Sequence, residues 1–76
     1  MPRFFFHLYD RSGFVEDEEG VEAPDLEAAG AVALKGARSI ISHDVEQGRL
    51  DLEGRIEVFD AAGVLVLVLP FREAAG

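Results

Sequence analysis

The apolar positions of this 76-residue chain fall into blocks whose spacing changes twice. Residues 3–9 alternate. Phe4, Phe6 and Leu8 share one side, and Phe5, His7 and Tyr9 share the other, which is the two-residue period of a strand. Asp10-Arg11-Ser12-Gly13 supplies turn residues, and residues 14–16 are expected to return as a short second strand. Residues 17–24 carry no apolar period and read as an acidic loop. From residue 26 the period lengthens. Leu26, Ala33, Leu34, Ala37, Ile40, Ile41 and Val45 form one helical stripe, with Lys35, Ser39, Ser42 and Glu46 opposite. The predicted helix covers residues 26–47, with Asp25 as N-cap, Pro24 before it and Gly48 as the stop. Gly30 lies on the stripe, where it would let the helix approach a sheet closely.

The short period then resumes. Residues 50–60 place Leu50, Leu52, Ile56 and Val58 on one side and Asp51, Glu53, Arg55 and Glu57 on the other. Residues 60–63 form a turn, and residues 64–71 form a last strand, apolar on both sides and ended by Pro70. Residues 73–76 read as a frayed tail. The expected fold is a single α+β domain over residues 1–76. One long helix packs on a mainly antiparallel sheet of three to four strands, in the order ββαββ.

Composition narrows the function classes. Seven Lys and Arg against fifteen Asp and Glu give a formal charge of −8. That charge argues against phosphate-driven nucleic-acid binding and against anionic membrane surfaces, so neither partner is expected. The longest apolar run is too short to cross a bilayer as a helix. The sequence has no cysteine, which removes thiolate metal sites and cysteine nucleophiles and favours a reducing cytoplasm. No catalytic residue, cofactor site or metal site is assigned. His7 and His43 lack a third ligand at zinc spacing, and Ser39 and Ser42 lack a nucleophile elbow.

Two surfaces remain as candidates. One helix covers one sheet face, so apolar residues on the other face need a partner. Phe5, His7, Tyr9, Phe59, Leu65, Leu67 and Leu69 are the candidate interface, and a homodimer is the expected occupant. The second is an acidic segment with seven acids in residues 16–27 and no Lys or Arg. Glu16, Asp17, Glu18, Glu19 and Glu22 could dock a basic protein, or could stay solvated as like-charge runs usually do. The spacing does not fit an EF-hand, which leaves a weak divalent-cation site as a minor reading, beside that of a small enzyme. Asp44 falls on the apolar stripe, where Arg49 or Arg55 would be its partner.

The opening Met1-Pro2-Arg3-Phe4-Phe5-Phe6-His7 resembles a family of short bacterial proteins, domain of unknown function 6894. The resemblance continues through residues 17–22 and 24–29, then at 48–52, 55–58 and 69–71. Gly30 and Gly36 stand where the family more often has better helix formers. The resemblance implies a free-standing cytoplasmic domain and carries over no catalytic residue. The function expected is that of a small interaction module that self-associates through its open sheet face. An antitoxin-like or regulatory partner of a basic protein is the alternative.

Overall fold

Alternating apolar residues with β-branched and aromatic side chains build an antiparallel sheet, and a helical period between them supplies its cover. The structure, a computed structural model, describes residues 1–48 and 52–75. In chain order its elements are β1 (Arg3–Asp10), β2 (Gly13–Val15), β3 (Val21–Glu22), α1 (Leu26–Glu46), β4 (Arg55–Asp60), β5 (Leu65–Pro70) and α2 (Phe71–Ala75). The strand order is β2-β1-β4-β5, and β3 also pairs with β1. All pairings are antiparallel. The fold is α+β, as the sequence pattern implies.

Helix α1 begins where expected. The Asp25 carboxylate accepts the Ala28 N–H at 2.8 Å, and Glu27 adds a favourable charge to the first turn. The helix ends at Glu46 with Gln47 as C-cap and Gly48 following. Its line of closest contact consists of small residues. Ala29, Ala33 and Ala37 are essentially fully buried, four residues apart, while Leu26 and Val45 at the ends stay exposed. These alanines let α1 lie close to Phe4, Ile56 and Val58 of the sheet. Gly30 is not needed for that approach. A Cβ there would meet Leu67 Cδ2 at 3.6 Å, an ordinary contact.

Apart from one-residue shifts at the ends of β1, β2, α1 and β5, four features differ from the sequence expectation, and the sheet has five strands where three to four were expected. Residues 21–22, expected in the acidic loop, form β3 against Arg3 and Phe4. The strand expected over residues 50–60 begins at Arg55, and residues 50 and 51 lie outside the described residues. Gly54 shows why pairing waits. A Cβ there would stand 2.9 Å from the Phe71 ring and 2.9 Å from the Tyr9 carbonyl oxygen, so only glycine fits. The Gly54 carbonyl also accepts the Phe71 N–H at 2.9 Å.

The expected tail is the helix α2. Phe71 is completely buried and Ala74 nearly so, and the Arg38 guanidinium donates to the Ala74 carbonyl at 3.3 Å. Pro70 ends β5, and the good helix formers Arg72, Glu73, Ala74 and Ala75 turn the chain back under α1. The last difference lies in β5. Val58 pairs with Leu67 but Phe59 pairs with Leu65, so a bulge at Val66 interrupts the alternation. Val66, Leu67 and Leu69 consequently pack against the core, and Leu65 and Val68 point to the opposite face.

Candidate interaction surface

Both helices pack on one face of the sheet, with Phe4, Ile56, Val58 and Phe71 between the layers. The other face displays Phe5, His7 and Tyr9 from β1, Phe14 from β2, Arg55, Glu57 and Phe59 from β4, and Leu65 and Val68 from β5. The rings are neighbours. His7 lies 5.7 Å from Phe14 and 5.2 Å from Phe59, and Tyr9 lies 4.6 Å from Phe14, between ring centroids. The Arg55 guanidinium sits 4.3 Å above the Tyr9 ring and bonds Glu57 at 2.8 Å. That pair closes the lower part of the face, while Phe14, Leu65 and Val68 remain exposed.

Five of the seven predicted interface residues come together here: Phe5, His7, Tyr9, Phe59 and Leu65. Leu67 and Leu69 do not. They pair with the buried Val58 and Ile56 and face α1, because the bulge shifts the phase of β5 by one residue. Val68 takes the outward place, and Phe14 joins the rings. A bulge has no mark in a run of alternating Val and Leu, so the sequence held no sign of the shift. Phe14 could have been found, since the turn at residues 10–13 sets it opposite Tyr9.

The acidic segment is more ordered than a solvated loop. Strands β2 and β3 pair with the two ends of β1 and leave a gap along its edge. Asp17 fills it. Its carboxylate accepts the Phe6 N–H at 3.1 Å and the Gly20 N–H at 3.0 Å, and its own N–H donates to His7 Nδ1 at 3.1 Å. As an acceptor at Nδ1, the His7 ring in this bond carries its hydrogen on Nε2. Gly20 has φ +74, and a Cβ there would meet Arg3 Cγ at 2.8 Å and the Phe4 carbonyl oxygen at 2.9 Å, so glycine alone fits the return. Arg3 then bonds the Glu22 carboxylate at 2.9 Å and the Glu19 carbonyl at 2.6 Å.

Of the predicted acidic docking residues, Asp17 and Glu22 are thus engaged within the chain. Glu16, Glu18 and Glu19 present exposed side chains. Asp44 is partly buried, and Arg55 is turned to Tyr9 and Glu57 on the far face of the sheet. Arg49 lies outside the described residues. His43 is exposed near the end of α1. Among the described residues no three metal-ligating side chains converge, and no helix is long and apolar enough to cross a membrane.

The loop and the sheet together bound a shallow, largely open cleft of about 400 Å³. Phe5, His7 and Phe59 form its floor, and Glu16, Asp17, Glu18 and Asp60 stand around it. The model of the family described as Domain of unknown function (DUF6894) matches residues 3–72. The chain belongs to this family. The match to DUF6894 spans every strand, α1 and the Phe71 anchor of α2. No curated protein and no solved structure matches the chain. The DUF6894 description names no activity, so a functional reading rests on the helix-free face and its cleft.

Proposed function

We propose that this DUF6894 chain is a small protein-interaction module that self-associates through the helix-free face of its sheet. The observation that carries the reading is the exposed apolar group on that face. Leu65 is 47% exposed and Val68 39%, beside the ring cluster of His7, Phe14 and Phe59. Contiguous apolar surface of this kind marks interfaces. A domain of this length draws only about 3–5 kcal/mol from a single core, so added burial is valuable to it. A twofold dimer buries the same patch on both copies.

Light scattering across a concentration series tests the reading. The unaltered chain is expected to dimerise at micromolar concentrations. Val68→Glu should yield a folded monomer, because the new carboxylate stands on the outer face. Leu67→Glu should unfold the chain, because it buries an unpaired charge beside α1. A chain that stays monomeric into the millimolar range overturns self-association. The second reading is an antitoxin-like or regulatory role in which this acidic chain covers a basic protein, and the acid-lined cleft is the observation that favours it.

A further inference from the structure

We propose that the cleft between residues 16–18 and the 60–63 turn is a binding site for an arginine-bearing segment of a basic partner protein. The proposal does not rest on self-association, since neither Leu65 nor Val68 lines the cleft. Its floor is aromatic, from Phe5 and Phe59, which pair directly across β1 and β4, with His7 tilted against Phe59. Ring faces attract cations, and a planar guanidinium stacks on them better than an ammonium does.

The surrounding charge has one sign. Asp17 and Asp60 are held in place by backbone N–H groups. Asp60 accepts from Ala62 and Val64, both at 2.9 Å, while Asp17 accepts from Phe6 and Gly20. These two carboxylates are therefore fixed before any ligand arrives, which lowers the ordering cost of binding. Glu16 and Glu18 are exposed above them and free to close on a guanidinium as a forked pair. His7 accepts the Asp17 N–H at Nδ1, which ties its ring to the acidic loop beside the cleft.

Charge complementarity selects the occupant. The rim is acidic and the whole chain carries −8, so an anionic or neutral apolar ligand leaves the carboxylates without an opposite charge. A second copy of this chain is a poor source of the cation. It shares the same negative charge, and at least four of its six arginines are engaged within their own chain: Arg3, Arg55 and Arg72 each bond a carboxylate, and Arg38 donates to the Ala74 carbonyl. A foreign basic segment meets both requirements, because the cleft is larger than one side chain and open at the surface.

Two-dimensional NMR titration of the whole chain with an acetylated, amidated tetra-arginine peptide tests this. Saturable shifts are expected at Phe5, His7, residues 16–18 and residues 59–63. The pair Glu16→Gln and Glu18→Gln together should weaken binding about ten-fold, and Phe59→Leu by a similar factor. A control pair, Glu46→Gln with Glu73→Gln, removes the same charge far from the cleft and should leave the affinity unchanged. A tetra-lysine peptide should bind more weakly than tetra-arginine. Three results overturn the proposal: no saturable shifts, equal weakening by the two double variants, or equal affinity for both peptides. The glutamate positions are exposed, so their variants report even where Phe59→Leu fails to fold. The cleft shares Phe5, His7 and Phe59 with the helix-free face, so light scattering is run before peptide is added: a chain that is monomeric without peptide and still binds it overturns self-association and leaves the cleft standing.

Discussion

Asp17 is the residue in which sequence, fold and surface meet. Its carboxylate takes the place of a strand along the open stretch of β1, and its N–H orients the His7 ring. Removing it leaves the part-buried Phe6 N–H and the Gly20 N–H without their acceptor. Asp17→Ala is therefore expected to cost about 1–3 kcal/mol in urea unfolding, the usual penalty for an orphaned buried donor. Glu19→Ala, two positions along the same loop but exposed, should stay within about 0.5 kcal/mol. Equal effects from the two would mean that the loop is held by net charge instead of by these bonds. Two glycines of α1 give a prediction of opposite sign. A methyl group at Gly36 meets nothing within 4 Å, and at Gly30 it meets only an ordinary contact with Leu67. Gly36→Ala and Gly30→Ala should each stabilise the chain by about 0.5–1 kcal/mol, visible as a higher urea midpoint.

At the scale of elements, what the sequence made legible follows from how local each signal is. The N-cap at Asp25, the helical period to Glu46 and the alternation in β1 depend on neighbours within a turn or a strand, and each was readable. The stop at Gly48 belongs with them. The bulge in β5 shows only in the pairing with Val58 and Phe59 across the sheet, so strict alternation along β5 puts Leu67 and Leu69 on the same face as Leu65, where the structure separates them. Strand β3 is held by pairing with Arg3 and Phe4 and by the Arg3–Glu22 ion pair, contacts far apart in sequence inside a run of acids. Helix α2 depends on its anchors, chiefly Phe71 seated against Gly54, with Ala74 buried beside it and its carbonyl bonded by Arg38 of α1. Its five residues have no stability of their own. Phe71→Ala should thus cost about 3–5 kcal/mol, enough to unfold so small a domain at room temperature. Circular dichroism would show it. A folded Phe71→Ala chain would mean that α2 is an ornament on a core complete without it.

The whole molecule is a two-layer slab of 38 × 22 × 17 Å. Among the described residues no helix covers the second sheet face, and the −8 charge opposes any like-charged copy approaching it. The exposed ion pairs, Arg3 with Glu22 and Arg72 with Glu53, offset little of that repulsion. Salt therefore acts with opposite signs on the two proposed events. The Debye length falls to about 10 Å at 0.1 M and about 3 Å at 1 M, well inside the long dimension of the slab. Screening should strengthen self-association, because apolar burial on Leu65 and Val68 is retained while repulsion fades. It should also raise the melting temperature by a few degrees, as crowded acids of residues 16–27 repel one another less. The same salt should weaken the tetra-arginine complex, whose attraction depends on the unscreened rim of the cleft. Sedimentation equilibrium and peptide titration across one salt series check both signs together. If dimer and peptide complex weaken in parallel, the copies are held by charge rather than by the apolar face. If both strengthen, the rings of Phe5 and Phe59 bind the peptide without help from the carboxylates.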